Sequence, residues 1–101
     1  MAFQYRFEWD PAKARQNATK HRITFERGAT VFLDPNALSL FDEQHSEDEE
    51  RWITLGLDNT GALLVICHTY HEDTENSAGV RLISVRKATK NETKQYQRKR
   101  L

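Results

Sequence analysis

Val80-Arg81-Leu82-Ile83-Ser84-Val85-Arg86-Lys87-Ala88-Thr89-Lys90-Asn91-Glu92 decides how this chain is read. Its first part has the apolar recurrence of a strand, which ends in basic residues and turns directly into a helix. The helix opens with Thr89-x-x-Glu92. In that spacing the Thr89 side chain accepts from the Glu92 amide, and the Glu92 carboxylate accepts from the Thr89 amide. Arg81, Arg86, Lys87, Lys90 and Tyr96 are then expected around one strand–helix corner. Cations beside the unpaired amides of a helix start can hold phosphate. The plainer reading is a solvated strand followed by a basic tail.

Outward from this corner, Leu63 to Thr69 is a continuous apolar run, as in a central strand covered on both faces. Asp58-Asn59-Thr60-Gly61 before it is a hairpin turn. Arg51 to Leu57 sets Ile53, Leu55 and Leu57 against Trp52 and Thr54 on the other face. Tyr70 to Gly79 is polar and reads as a loop. Ala37 to Phe41 predicts a strand leading into an acidic loop. Thr24 caps a helix running to about Leu33, with Phe25, Ala29, Phe32 and Leu33 toward the core. Gly28 inside it costs about 1 kcal/mol relative to Ala. Asp34-Pro35-Asn36 stops that helix. Tyr5 to Trp9 alternates as a short strand, and Asp10-Pro11 opens a polar helix through Lys20. The expected fold class is α+β: a short N-terminal strand, two helices, a three- to four-stranded antiparallel meander sheet and a C-terminal helix.

The 101 residues form one domain, 1–101. Formal net charge is zero, so bulk attraction to nucleic acid is not expected. The charges are segregated, however. Asp42, Glu43, Glu47, Asp48, Glu49 and Glu50 form an acidic block, and the C-terminal end is basic, which permits local anion binding. Cys67 is the single cysteine, so no internal disulfide forms, and its apolar strand predicts a buried, inert thiol. No apolar h-region precedes Asp10, and no run has membrane-spanning length, so the expected location is the cytoplasm with no membrane partner.

Several short elements recur in an informative order. They are Phe7-Glu8-Trp9-Asp10-Pro11, Lys20-His21, Thr24-Phe25-Glu26, Ala29 to Pro35, Glu49-x-Arg51 through Gly56, Leu64 to Thr69, and Ile83-Ser84-x-Arg86-x-Ala88-Thr89-x-x-Glu92. In that order, from about Phe7 to Tyr96, the chain resembles the BrnT family of bacterial toxins. The resemblance implies a RelE-like ribonuclease fold and cleavage of messenger RNA, which inhibits translation and growth. It also implies neutralisation by a BrnA-type antitoxin in a type II toxin–antitoxin module, with operator DNA met only through the antitoxin complex. Family members usually carry an acidic residue where Arg27 stands, so the second helix lacks a complete capping box here.

If RNA is the substrate, the simplest metal-free cleavage uses the neighbouring 2′-hydroxyl as nucleophile. It needs a base, cations for the transition state and an acid. His68, His45 and Tyr96 are the acid–base candidates; Arg86, Arg51 and Arg81 are the cations. Alternation puts Arg81 and Arg86 on opposite faces unless a bulge re-aims one. Arg86 has the stronger motif support. Lys20, Arg81, Lys87 and Lys90 are candidate RNA contacts. His68-x-x-His71 lacks the ligand set of a structural zinc site, so neither metal nor cofactor is expected. The competing reading is a non-catalytic module that binds nucleic acid or protein within the toxin–antitoxin complex.

Overall fold

The computed structural model describes residues 3–100. The decisive corner forms as its spacing requires. Strand β6 (Ser77–Lys87) runs into helix α3 (Lys90–Arg100), with Thr89 between them. The Glu92 amide donates to Thr89 Oγ1 at 3.2 Å, and the Thr89 amide donates to Glu92 Oε1 at 2.8 Å. Both halves of the capping box are therefore present.

The remaining elements are β1 (Gln4–Glu8), α1 (Pro11–His21), α2 (Phe25–Thr30), β2 (Leu38–Phe41), β3 (Arg51–Leu57), β4 (Leu63–Thr69) and β5 (His71–Thr74). They build a six-stranded sheet ordered β1-β6-β4-β3-β2, with β5 pairing with β6 off that path. The α+β class holds, but the sheet is larger than the expected three or four strands. Strands β2, β3, β4 and β6 are antiparallel neighbours, whereas β1 pairs parallel with β6, Phe7 opposite Val80. The segment read as a loop after Tyr70 is instead a hairpin, because β5 folds back on the first residues of β6. Its residues are exposed and polar, so no apolar alternation marks it.

Two apolar layers sandwich the sheet. One contains Phe25, Val31, Leu64, Ile66, Val80, Leu82 and Val85 beneath α1 and α2. The other is smaller, with Leu55 and Val65 under Tyr96 of α3. Leu64, Val65 and Ile66 are all essentially inaccessible, as a strand covered on both faces requires. Helix α2 ends at Thr30 and gives way to a 3-10 turn at Val31–Leu33, which turns Leu33 out to 80% exposure. That corrects the expectation that Leu33 faces the core.

Local chemistry explains the joints. Thr24 caps α2 by accepting from the Arg27 amide at 3.2 Å, without a reciprocal acid. Arg27 is used elsewhere, bonding to the buried Asp58 carboxylate at 2.8 Å. Asp58 also accepts from the Thr60 and Ala62 amides and the Thr60 hydroxyl, which builds the β3–β4 turn with Gly61 at φ +85°. Burial alone pushes the Asp58 carboxyl up, but these hydrogen bonds together outweigh it and hold the group below its ordinary value. Beyond the end of β1 the outer edge of β6 is covered by α1. There Asn17 acts as a substitute strand: it accepts from the Val85 amide at 3.1 Å and donates to the Val85 and Ile23 carbonyls.

Candidate active site at the sheet rim

The candidate residues separate into two groups, one at each end of the sheet. The strand register decides this. Arg51 lies opposite Thr69 and Trp52 opposite His68, so the start of β3 meets the end of β4. The pairing of β4 with β6 skips Ile83 between Cys67–Ser84 and His68–Leu82. This bulge restores Arg81 and Arg86 to the same face, although five residues of strand, about 15 Å, separate them. Arg81 lies beside Thr69, whose hydroxyl accepts from the Arg81 amide at 3.2 Å. Arg51 and Arg81 therefore flank Thr69 at one rim, while Arg86 lies toward the other.

Arg86 is committed to a partner. Its two terminal nitrogens donate to both Glu92 oxygens at 2.8 and 2.9 Å. The Glu92 bonds raise the Arg86 pKa, and the same contact, aided by the Thr89 amide, lowers Glu92 to about 2. The guanidinium expected to receive phosphate thus already clamps the cap of α3. Tyr96 is 3% exposed and donates to Asp34 Oδ2 at 2.6 Å, which fixes α3 onto the sheet. Lys20 and His21 share a shallow hollow with Ser84 on this side of the molecule. Lys87 and Lys90 are exposed and form no ion pair with a described side chain, as do Lys94 and Arg98 along α3.

At the opposite rim His45 and Arg51 line one hollow and Arg81 the next, with Glu49 common to both. His45 ends a 3-10 turn at Glu43–His45, and its Nδ1 lies 2.9 Å from Asp42 Oδ2. As Asp42 is an acceptor when ionised, Nδ1–H donates and Nε2 points elsewhere. His45, Glu49 and Arg51 line one hollow of about 380 Å³. Glu49 and Arg81 also line a neighbouring open hollow of about 670 Å³, walled by Trp52 and Tyr70 and edged by Glu8, Glu50, His71 and Glu72. An ion pair joins Arg81 to Glu49 Oε1, and Arg51 approaches the same oxygen at 3.9 Å. Among the described residues, only Arg51 Nε and Trp52 Nε1 are buried side-chain nitrogens without a hydrogen-bond partner. Both donors belong to this rim.

His68 lies beneath the same rim on the opposite sheet face, in the floor of a cleft lined by Tyr5, Phe32, Trp52 and Tyr70. It is 2% exposed. Its Nδ1–H donates to the Thr69 carbonyl at 2.9 Å, because a carbonyl can only accept. Nε2 of the neutral ring then accepts from Thr54 Oγ1 at 2.6 Å, and Thr54 accepts from Ser39 at 2.8 Å. Burial lowers the His68 pKa, opposed in part by the Thr69 bond. His68 is therefore a satisfied neutral imidazole with an edge-on contact to Phe32. Cys67 is half-buried rather than fully buried. No cluster of three His, Cys, Asp or Glu residues able to hold a metal occurs among the described residues. No helix among them is long and apolar enough to cross a membrane.

Sequence reasoning passed over Glu49 as a site residue. It stands inside an acidic block that reads as a solvated surface, and only its i+2 spacing to Arg51 set it apart. Its pairing with Arg81 joins positions 32 apart in the chain.

No curated protein matches the chain. The crystal structure of the Brucella abortus ribonuclease toxin BrnT has a similar fold, with a TM-score of 0.59. The likeness covers 88% of this chain and 100% of that one, at 18% identity. The family model for the ribonuclease toxin BrnT of type II toxin–antitoxin systems matches residues 9–92. The chain thus belongs to the BrnT family of type II toxin–antitoxin ribonuclease toxins.

Proposed function

We propose that this BrnT-family ribonuclease toxin cuts messenger RNA at the rim formed by His45, Arg51 and Arg81, using no metal. The RNA 2′-hydroxyl attacks the neighbouring phosphate. Arg51 and Arg81 stabilise the charge that builds on phosphorus oxygens, the role fixed cations fill best in a partly enclosed site. His45, oriented by Asp42, gives a proton from Nε2 to the departing 5′-oxygen. Trp52 and Tyr70 offer ring faces on which a base can stack. His68 keeps the cleft floor rigid rather than touching RNA. The cations of Lys87, Lys90, Lys94 and Arg98 bind RNA phosphates beyond the cleaved bond, with Lys20 on the neighbouring face. Under this reading the fold is a RelE-like variant working in the cytoplasm. Growth is protected by a BrnA-type antitoxin, and operator DNA is engaged only through that complex.

One observation carries the placement: two arginines from different strands meet at one carboxylate oxygen, beside two buried N–H donors that lack acceptors. The test is cleavage of a messenger RNA fragment in EDTA by wild type and by His45→Ala, Arg81→Ala and Arg86→Ala. His45→Ala and Arg81→Ala should each lose about 10²-fold or more in kcat. Arg86→Ala should lose stability but keep its rim. Wild-type cleavage untouched by His45→Ala and Arg81→Ala would place the reaction elsewhere. The unpaired cations of α3 also suit a module that only binds nucleic acid, and intact RNA with salt-sensitive binding would favour that reading.

A further inference from the structure

We infer that Glu49 is the general base of the ribonuclease, the group that takes the proton from the attacking 2′-hydroxyl. This rests on the placement of the reaction at the Arg51–Arg81 rim.

The two oxygens of the Glu49 carboxylate are placed differently. Arg81 bonds to Oε1 and Arg51 approaches the same atom. Oε2 accepts no hydrogen bond from a described residue. The arginines therefore fix the orientation of the carboxylate through one oxygen and leave the other available to accept a proton. Glu49 has 40% side-chain exposure, enough for RNA to reach it. It also lines both rim hollows, between His45 and Arg51 on one side and Arg81 with the aromatic wall on the other; Glu47 and Asp48 face it in the first hollow, and Glu8, Glu50, His71 and Glu72 in the second, so the two guanidinium groups must draw phosphate against these carboxylates. A phosphate drawn to the two guanidinium groups would arrive beside Oε2, with its adjoining ribose hydroxyl within reach of that oxygen.

The step balances. The 2′-hydroxyl proton passes to Glu49 Oε2, and the oxygen's freed electron pair forms the new bond to phosphorus. The bond from phosphorus to the 5′-oxygen breaks, and its electron pair leaves with that oxygen. His45 supplies the proton that this oxygen needs. The products are a 2′,3′-cyclic phosphate and a free 5′-hydroxyl, after which Glu49 returns its proton to water and His45 regains one.

A purely structural ion pair and a general base predict different signs for one substitution. Glu49→Gln removes a negative charge beside a bound phosphate, so RNA should bind as tightly as to wild type or more tightly. Loss of the base should at the same time lower kcat by about 10²- to 10⁴-fold. The experiment uses the full chain. Binding is read by fluorescence anisotropy with a 2′-O-methyl oligonucleotide, which cannot be cut. Cleavage of the matching RNA is read across pH, for wild type, Glu49→Gln, Glu49→Asp and Arg81→Ala, with folding checked by circular dichroism. Glu49→Gln is expected to retain or gain binding, lose kcat, and lose the acidic limb of the pH–rate profile. Glu49→Asp should recover part of the rate, because the carboxylate is restored one methylene short.

Glu49→Gln cutting within fivefold of the wild-type kcat overturns the assignment and leaves Glu49 as an ion-pair partner. In that case, if Arg81→Ala has lost activity, the rim itself still stands. Full activity in Arg81→Ala as well removes the rim and the base with it, as does a wild type that leaves RNA intact. Should Glu49→Gln not fold, Glu49→Asp decides: a kcat equal to wild type despite the displaced carboxylate overturns the assignment, and a reduced kcat with unchanged binding supports it.

Discussion

Replacing Glu92 by Gln keeps the shape of the β6–α3 corner and removes only its negative charge. In the native corner the carboxylate accepts from Arg86 at 2.8 and 2.9 Å and from the Thr89 amide at 2.8 Å. Those contacts, the Arg86 bond first, lower its pKa from 4.5 to about 2. A depression of that size corresponds to at most about 3 kcal/mol of folding stability. Arg86 and Glu92 retain 39% and 24% side-chain exposure, so water screens part of it. The expected loss in Glu92→Gln is ~1–2 kcal/mol at pH 7, and about 5–10 °C in Tm for a domain of this size. The sign of the pH dependence follows from the ionised form being favoured in the fold. The contribution is complete above the ordinary carboxylate range, shrinks below pH 4.5 and disappears as pH falls through about 2. Less than about half should remain at pH 3. Urea unfolding of both proteins, followed by circular dichroism from pH 7 to pH 3, tests this. A variant as stable as wild type at pH 7, or a difference that stays constant to pH 3, would mean that the charge of the Arg86–Glu92 pair contributes no net stability.

Three further outcomes follow from the packing. Gly28→Ala, favourable by about 1 kcal/mol in an isolated helix, should destabilise the protein by about 1–3 kcal/mol. The added Cβ would lie 2.5 Å from Val85 Cγ2 and 3.2 Å from Leu82 Cδ2, and an unchanged or raised Tm would contradict that packing. Asn17→Ala should cost about 2–3 kcal/mol in chemical denaturation, since the Val85 amide and carbonyl lose their partner under α1; a loss below 0.5 kcal/mol, by the same principle about the scale of an exposed site, would mean water replaces the side chain. His68 should titrate by NMR below its ordinary 6.5 because it is buried, and stability should fall as pH is lowered from 6.5 toward that depressed value. A His68 titration at or above 6.5 would show the ring to be solvated.

Legibility differed between elements for physical reasons. The Thr89–Glu92 box, the Asp58–Gly61 turn and the buried run of β4 depend on residues within a few positions of one another, and each formed as read. The β5 hairpin did not announce itself, because its exposed residues carry no alternation. The importance of Gly28 was legible only as a helix cost, since its benefit lies against Val85, 57 positions away. Arg86 carried the stronger motif, and in the fold that motif builds a helix cap in which Arg86 donates to Glu92. The candidate site was partly legible: His45, Arg51 and Arg81 could be named, but their convergence could not.

Residue spacing along the chain specifies the α+β class, the order of most elements and the chemistry at each helix start. Local hydrogen bonds and apolar periodicity act between near neighbours, so residue spacing is enough to specify them. Tertiary structure alone decided which carboxylate each arginine meets. It did so through the parallel pairing of β1 with β6, the bulge at Ile83 and the register of β3 against β4. These pairings join residues far apart in the chain, where each alternative register is locally as favourable, and only closing the whole core selects one. That selection ties Arg86 to Glu92 and leaves Arg51 and Arg81 meeting at Glu49.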